Sequence, residues 1–305
     1  MKSAGLRLLA CLCALIAGLT LYGCANREAK EENLPPVETP AAAAPILPRR
    51  EESGYAEVRV YYDGLLRDRG YCVDGTVYLD PEEICGQLDL ELESRAEEDR
   101  FEMLISGMSL TGVRGEDYFT ADYRYLYAPN GWLTQEGRVL LPTDVFDRIF
   151  NVEITVSKDR DRVDVNTTDA RLLKCGQTYY LDRFTEEDVF WLSRVINAEA
   201  ANQPMAGKIG VGNVVLNRVA YEYFPNTIYD VIFQQDEVFQ FTPVENGSII
   251  RTPNKESIIA AYLAMDGYNT VGDCMFFVNP KSGNPSWFKK WKTYVMTIGD
   301  HDFYA

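Results

Sequence analysis

A carboxylate on the apolar side of one helix constrains this chain more than any other feature. The stretch Phe184–Ala200 opens with Thr185, a residue type that accepts hydrogen bonds from the free N–H groups of a first helical turn. Glu186, Glu187 and Asp188 come next, where acids suit the positive end of the helix dipole. Val189, Leu192, Val195 and Ile196 then recur at helical spacing. Glu199 comes three residues after Ile196, four after Val195 and seven after Leu192, so helical geometry puts it on the apolar stripe. Periodicity alone leaves two readings open. Held in a core, the carboxyl is desolvated and its pKa rises, as a general acid at neutral pH requires. At a fraying helix end, the glutamate bends out to water.

The preceding residues divide by composition. Residues 1–23 begin with Lys2 and Arg7 and continue into the apolar run Leu8–Leu21, which is short for a membrane span and reads as an export signal. Leu21-Tyr22-Gly23-Cys24 resembles a bacterial lipobox. That resemblance implies acylation of Cys24 and a mature chain anchored to a membrane by lipid. An uncleaved anchor or a plain signal peptide would export the chain equally. Residues 24–54 hold Pro35, Pro36, Pro40, Pro45 and Pro48 among charges and alanines, a composition that cannot bury enough apolar surface to fold. As a flexible tether they span roughly 30 Å.

Residues 55–169 carry an internal repeat with an offset of 62. Gly75-Thr-Val-Tyr-Leu-Asp80 aligns with Gly137-Arg-Val-Leu-Leu-Pro142, Ile84 with Phe146, Leu88 with Phe150, and Leu90-Glu-Leu92 with Val152-Glu-Ile154. Each copy reads as a strand, a short helix after Pro81 or Pro142, and a second strand, which makes one pseudo-symmetric α+β domain. Ahead of it, Val58 and Val60 alternate with polar residues and lead into Asp63-Gly64, a hairpin signal. The pattern resembles the copper amine oxidase N-terminal-like stalk domain of bacterial surface proteins. The region has no histidine to hold copper. The aromatic run Glu116–Tyr127 reads as strand packing with a solvated edge; a glycan-binding face is the alternative. Residues 170–183 connect this unit to the C-terminal one, on which Tyr179-Tyr180-Leu181 is expected to pack.

Residues 184–305 read as mostly helical. A second helix starts near Pro204, with Met205, Ile209, Val215, Leu216 and Val219 as core positions. Gly207, Gly210 and Gly212 lower its helix propensity and suit a close approach by another backbone or a substrate. Thr227 caps a short helix through Gln234. Asn254 or Thr252 starts another that carries Ile258, Ile259, Tyr262, Leu263 and Met265 and ends at Gly267. Cys274–Pro280 is apolar and β-prone.

Separated motifs recur through this half: Ile196-Asn-Ala-Glu-Ala200, Gln203-Pro-Met-Ala-Gly-Lys208, Val211-Gly-Asn-Val-Val-Leu-Asn-Arg-Val219, Tyr223-Phe-Pro-Asn-Thr-Ile-Tyr-Asp-Val-Ile232, Gln240-Phe-Thr-Pro-Val244 and Ile298-Gly-Asp-His-Asp-Phe-Tyr304. Together they resemble the SleB/CwlJ family of cell wall hydrolases, the spore-cortex-lytic type, over residues 184–304. The resemblance implies a lysozyme-like fold and a peptidoglycan lytic transglycosylase, with Glu199 matching the catalytic glutamate. It also implies substrate contacts at Gln240, Phe241, Asn217, Asn279, Trp287, His301 and Tyr304. For Phe241 and Tyr304 core packing is an equal alternative, and a lone histidine such as His301 is usually structural. The family run Glu-Ala-Arg-Gly-Glu-Pro departs here to Glu199-Ala-Ala-Asn-Gln203-Pro204, with an amide in place of the second acid.

Other chemistries are poorly provided for. One histidine in 305 residues and no metal-site cysteine spacing leave neither a metal nor another cofactor expected. No Gly-x-Ser-x-Gly elbow and no phosphate-binding glycine loop occur. A net charge of −16 argues against nucleic acid as partner. Cys72 and Cys85 read as buried free thiols, although an exported protein leaves their pairing open. Glycosidic cleavage ordinarily uses two carboxylates. Glu245, Asp236, Glu237 and Asp300 are the candidates, and none reads as an equal partner to Glu199. A single acid suffices if the muramic C6 hydroxyl is the nucleophile. The resemblances imply as partners peptidoglycan glycan strands, a membrane reached through the N-terminal lipid, and a protein of germination or sporulation. The alternatives are a hydrolytic muramidase and a catalytically degenerate wall-binding scaffold lipoprotein.

Overall fold

β1 (Ala56–Tyr62) turns into β2 (Leu65–Val73) through Asp63 and Gly64, both left-handed at φ 49° and 81°. That conformation gives a tight turn whose twist matches the strands, hence the Asp-Gly pair. The computed structural model describes residues 55–173, 183–235, 240–281 and 290–305.

Elements recur at the offset seen in the sequence. β3 (Thr76–Leu79), α1 (Pro81–Gln87) and β4 (Leu92–Ala96) form one series. Four strands come next: β5 (Arg100–Ile105), β6 (Met108–Val113), β7 (Tyr118–Ala121) and β8 (Arg124–Tyr127). After β9 (Leu133–Gln135), β10 (Arg138–Pro142), α2 (Thr143–Phe150) and β11 (Glu153–Val156) form the second series, and β12 (Arg162–Asn166) closes the region. Leu79 pairs with Leu141 across antiparallel β3 and β10, so positions 62 apart in sequence face each other. The second strands of the two series diverge. β4 joins a five-stranded antiparallel sheet ordered β4-β5-β6-β7-β8, whereas β11 edges a seven-stranded sheet ordered β11-β12-β1-β2-β3-β10-β9. Val58, Leu79, Ile84, Phe101, Leu141, Phe146 and Phe150 bury the common core.

The aromatic run is a hairpin with both faces covered. Successive strand residues point to opposite faces, so Phe119, Ala121 and Leu126 enter the first core. Tyr118, Tyr125 and Tyr127 instead pack into the core of the second half. There Tyr125 meets Tyr262 with ring centroids 6.0 Å apart, and Tyr127 meets Tyr268 at the same distance. A buried ion pair locks this contact: Arg124 Nε donates to Asp266 Oδ2 at 2.9 Å, with both side chains under a tenth exposed.

The second half contains α3 (Glu186–Ala200), α4 (Met205–Ala220), α5 (Ile228–Phe233), the single turn α6 (Thr242–Glu245) and α7 (Lys255–Met265). α3 begins in a reciprocal capping box, with Thr185 Oγ1 accepting from the Asp188 N–H and Asp188 accepting from the Thr185 N–H. α7 is apolar nearly all round because α3, α4 and β8 all pack on it. Of the expected α4 core positions, Met205, Ile209 and Val215 are buried, while Leu216 and Val219 are only partly so. The glycines of α4 admit side chains. Gly212 lies under Ala264 and Ile196 where α3, α4 and α7 converge, and Gly210 lies under Val271 and Phe303. A short antiparallel sheet ends the chain, with β13 (Phe276–Val278), β14 (Tyr294–Ile298) and β15 (His301–Tyr304) ordered β13-β15-β14. The sequence signals only its first strand. The described residues thus combine helices and sheets in both halves. Among the described residues no helix is long and apolar enough to cross a membrane.

Candidate active site

Glu199 occupies the last turn of α3, above the fully buried Leu192, Val195 and Ile196. Its carboxyl is half-buried and makes no hydrogen bond or ion pair with any described residue. Burial pushes its pKa up from 4.5 to about 7. The negative end of the helix dipole acts in the same direction. α3 runs on through Glu199 to Ala200, and the side chain stays half-buried beside the apolar stripe rather than turning fully out to water.

Neighbouring contacts fix the helix end. Asn197 Oδ1 accepts from the Asn254 N–H at 2.9 Å, which ties α3 to the cap of α7. Asn254 Oδ1 caps α7 by accepting from the Ser257 N–H at 2.8 Å. Gln203, in the turn between α3 and α4, makes a two-point contact with Asp300. Its Oε1 accepts from the Asp300 N–H at 2.8 Å, and its Nε2 donates to Asp300 Oδ2 at 3.3 Å. Buried Lys208 donates to the Gln203 carbonyl at 2.6 Å. Lys281 pairs with Asp300 Oδ1 at 2.7 Å; that bond and the Gln203 amide hold the Asp300 carboxyl below its usual value. An amide at position 203 can donate to Asp300, which a carboxylate cannot do. Of the acids weighed as a second carboxylate, Asp300 is thus engaged and Glu245 is exposed at the end of α6. Asp236 and Glu237 lie outside the described residues.

The other expected contact residues sit in several settings. Asn217 Nδ2 donates to the Gly272 carbonyl at 2.8 Å and the Cys274 carbonyl at 2.9 Å, so it fastens α4 to the loop before β13. Asn279 Oδ1 accepts from the Lys281 N–H at 2.9 Å and shapes a turn. Phe241 and Tyr304 are buried, in keeping with the packing alternative. His301 is buried against Phe277, at 5.3 Å between ring centroids, and burial holds its imidazole pKa down. Gln240 is exposed, and its backbone N–H donates to the Gln234 carbonyl. Trp287, Cys24, Cys175 and the run Tyr179-Tyr180-Leu181 lie outside the described residues. Cys72, Cys85 and Cys274 are free thiols. Among the described residues no cluster of histidine, cysteine and acids gathers as a metal site would.

Arg218, a buried cation near the end of α4, escapes a sequence reading centred on acids. The signal that singles out Glu199 is present there too. Arg218 falls three residues after Val215, four after Val214 and seven after Val211, all buried.

Residues 202–304 match the family model described as Cell Wall Hydrolase. The match begins three residues beyond Glu199 and so leaves that residue outside it. A spore cortex-lytic enzyme of Bacillus cereus is 31% identical over 121 residues, covering 39% of this chain and 45% of the relative. One from Bacillus subtilis is 30% identical over 121 residues, covering 39% and 38%. The chain thus spans less than half the length of these curated relatives. Among solved structures, the catalytic domain of the germination-specific lytic transglycosylase SleB from Bacillus anthracis is 29% identical. It covers 41% of this chain and 98% of that one, with a TM-score of 0.38. The catalytic domain of the Bacillus cereus SleB protein is 26% identical, covering 40% and 92%, with a TM-score of 0.36.

Proposed function

We propose that this chain, whose residues 202–304 form a cell wall hydrolase domain, cleaves the glycan strands of peptidoglycan as a lytic transglycosylase. One observation carries the reading: a lone, half-buried glutamate with a pKa of about 7 at the end of α3. A group poised near neutrality can donate a proton and take one back in a single cycle. Protonated Glu199 gives its proton to the oxygen linking N-acetylmuramic acid to N-acetylglucosamine, and the bond from that oxygen to muramic C1 breaks. The C6 hydroxyl of the same muramic acid attacks C1, and ionised Glu199 accepts the hydroxyl proton. The products are a 1,6-anhydromuramic end and a free N-acetylglucosamine hydroxyl, with Glu199 restored. Asp300, tied to Lys281 and Gln203, is a poor candidate to activate water, which favours this route over hydrolysis.

The names of the relatives direct the proposal to spore cortex as substrate. The lipobox-like Leu21–Cys24 supports an exported chain held by lipid on Cys24 at the outer face of a membrane. Residues 55–169 then act as a stalk between membrane and wall, and residues 184–305 form the lysozyme-like catalytic unit. Digestion of cortex and of vegetative peptidoglycan, followed by borohydride labelling and mass spectrometry, tests the chemistry. Anhydromuramic ends are expected from the wild type, with a rate lowered about a hundredfold or more in Glu199→Gln. Reducing muramic ends would mean a water-using muramidase, and an intact rate in Glu199→Gln would mean another residue is the acid.

A further inference from the structure

Arg218 is a buried charge that this chemistry leaves unused. It sits in the last turn of α4 at 5% exposure. Its Nε donates to the Met275 carbonyl at 2.8 Å, while its buried Nη1 has no hydrogen-bond partner among the described residues. Its guanidinium carbon lies 5.1 Å from the ring centre of Phe224, 5.4 Å from that of Phe241 and 5.2 Å from that of Phe276. Burial pushes its pKa down to about 10, with no carboxylate among the described residues to oppose the fall. The Phe276 ring carries a second cation, Lys292, whose Nζ stands 3.7 Å from the ring centre. Burial and the Arg218 charge push the Lys292 amine down, again with no described carboxylate beside it.

Two cations on one ring, with no counter-ion among the described residues, are out of place in a chain of net charge −16. A buried guanidinium without an acid is destabilising, ring faces return only part of that loss, and the neighbouring ammonium adds repulsion. An anion seated between the two would offset both costs. A guanidinium fork with unused N–H groups matches the planar geometry of a carboxylate. Half-buried Lys292 marks the solvent side of the box. Tyr221 and Tyr223, 45% and 76% exposed, continue it outward through ring contacts from Phe276 to Phe224, Tyr221 and Tyr223. Such a ledge suits sugar rings beside a charged group.

We infer that the Arg218–Lys292 box is a carboxylate subsite that takes a free carboxylate from the peptide stems of peptidoglycan. This rests on the reading of the chain as a peptidoglycan-cleaving enzyme. The test is calorimetric titration of the full chain with an N-acetylglucosaminyl-N-acetylmuramoyl tetrapeptide, which lacks the scissile linkage. The same muropeptide with its stem carboxyls amidated, and inorganic phosphate, are the controls. The wild type should bind the acidic muropeptide about tenfold or more tightly than the amidated one. Lys292→Gln, a change at the half-buried edge, should remove most of that preference, and Arg218→Lys should reduce it. Glu199→Gln should retain it. Equal binding of the two muropeptides by the wild type would overturn the subsite, as would an unchanged preference in Lys292→Gln. Phosphate competing as strongly as the muropeptide would overturn the stem carboxylate as ligand. Intact wall digestion with no preference defeats the subsite alone; an intact preference with no digestion defeats the activity alone.

Discussion

Replacing Glu199 with glutamine changes one ionisable group and almost no volume, so it isolates the cost of placing a carboxylate on the α3 stripe. The folded-state pKa of about 7 lies above the ordinary 4.5. Between these values the unfolded chain releases its proton while the folded chain keeps it, so the folding penalty grows with pH and levels off above about 7. The interval corresponds to about 3 kcal/mol, trimmed toward about 2 kcal/mol by solvent at the half-buried carboxyl. Glu199→Gln should therefore stabilise the protein by about 2–3 kcal/mol at pH 8 and by less than about 1 kcal/mol at pH 5. Urea unfolding of wild type and variant at both pH values, followed by tryptophan fluorescence, measures the two gaps. Trp191, on the same helix, is a suitable reporter. The stabilised variant should also be the inactive one, and wild-type kcat/KM should fall as pH rises through about 7 and the acid is lost. An equal gap at pH 5 and pH 8, or a less stable variant at pH 8, would refute the buried-acid argument.

Three further outcomes are expected. Arg124→Met leaves Asp266 buried without its cation, and thermal unfolding should report a loss of about 3–5 kcal/mol, largely recovered in the double variant with Asp266→Asn. Gly210→Ala would place a methyl 2.8 Å from Val271 Cγ1 and 3.0 Å from Phe303 Cζ, and this overpacking should cost about 1–3 kcal/mol in denaturant titration. Cys24→Ala should move the protein from the membrane fraction to the soluble fraction, and mass spectrometry finding no diacylglycerol on wild-type Cys24 would end the lipid proposal.

Glu199 is legible in the sequence because its position depends only on its neighbours in the chain. A cap at Thr185 and apolar residues at helical spacing state which way a side chain three or four places on will face. The Asp63-Gly64 turn and the 62-residue offset are local or self-referential in the same sense. The partners of those faces are not. Nothing near Tyr118, Tyr125 and Tyr127 says that they cover α7, and Arg124 meets Asp266 across 142 residues. The repeat does not reveal that β4 and β11 enter different sheets, because each strand's second edge is set by whichever strand reaches it. Asn217 shows the same limit: its motif gives an amide, and only the fold shows that amide committed to two backbone carbonyls. Arg218 lies between the two cases. Its spacing places it on the buried side of α4, but the rings of Phe224, Phe241 and Phe276 and the charge of Lys292 come from four other segments. Periodicity and capping act over one or two helical turns, so the sequence determined which faces are apolar and where an acid interrupts them. Desolvation and pairing depend on surfaces brought together from distant segments, so only the tertiary structure decided which charges are met by a partner and which, like Arg218, are buried with none among the described residues.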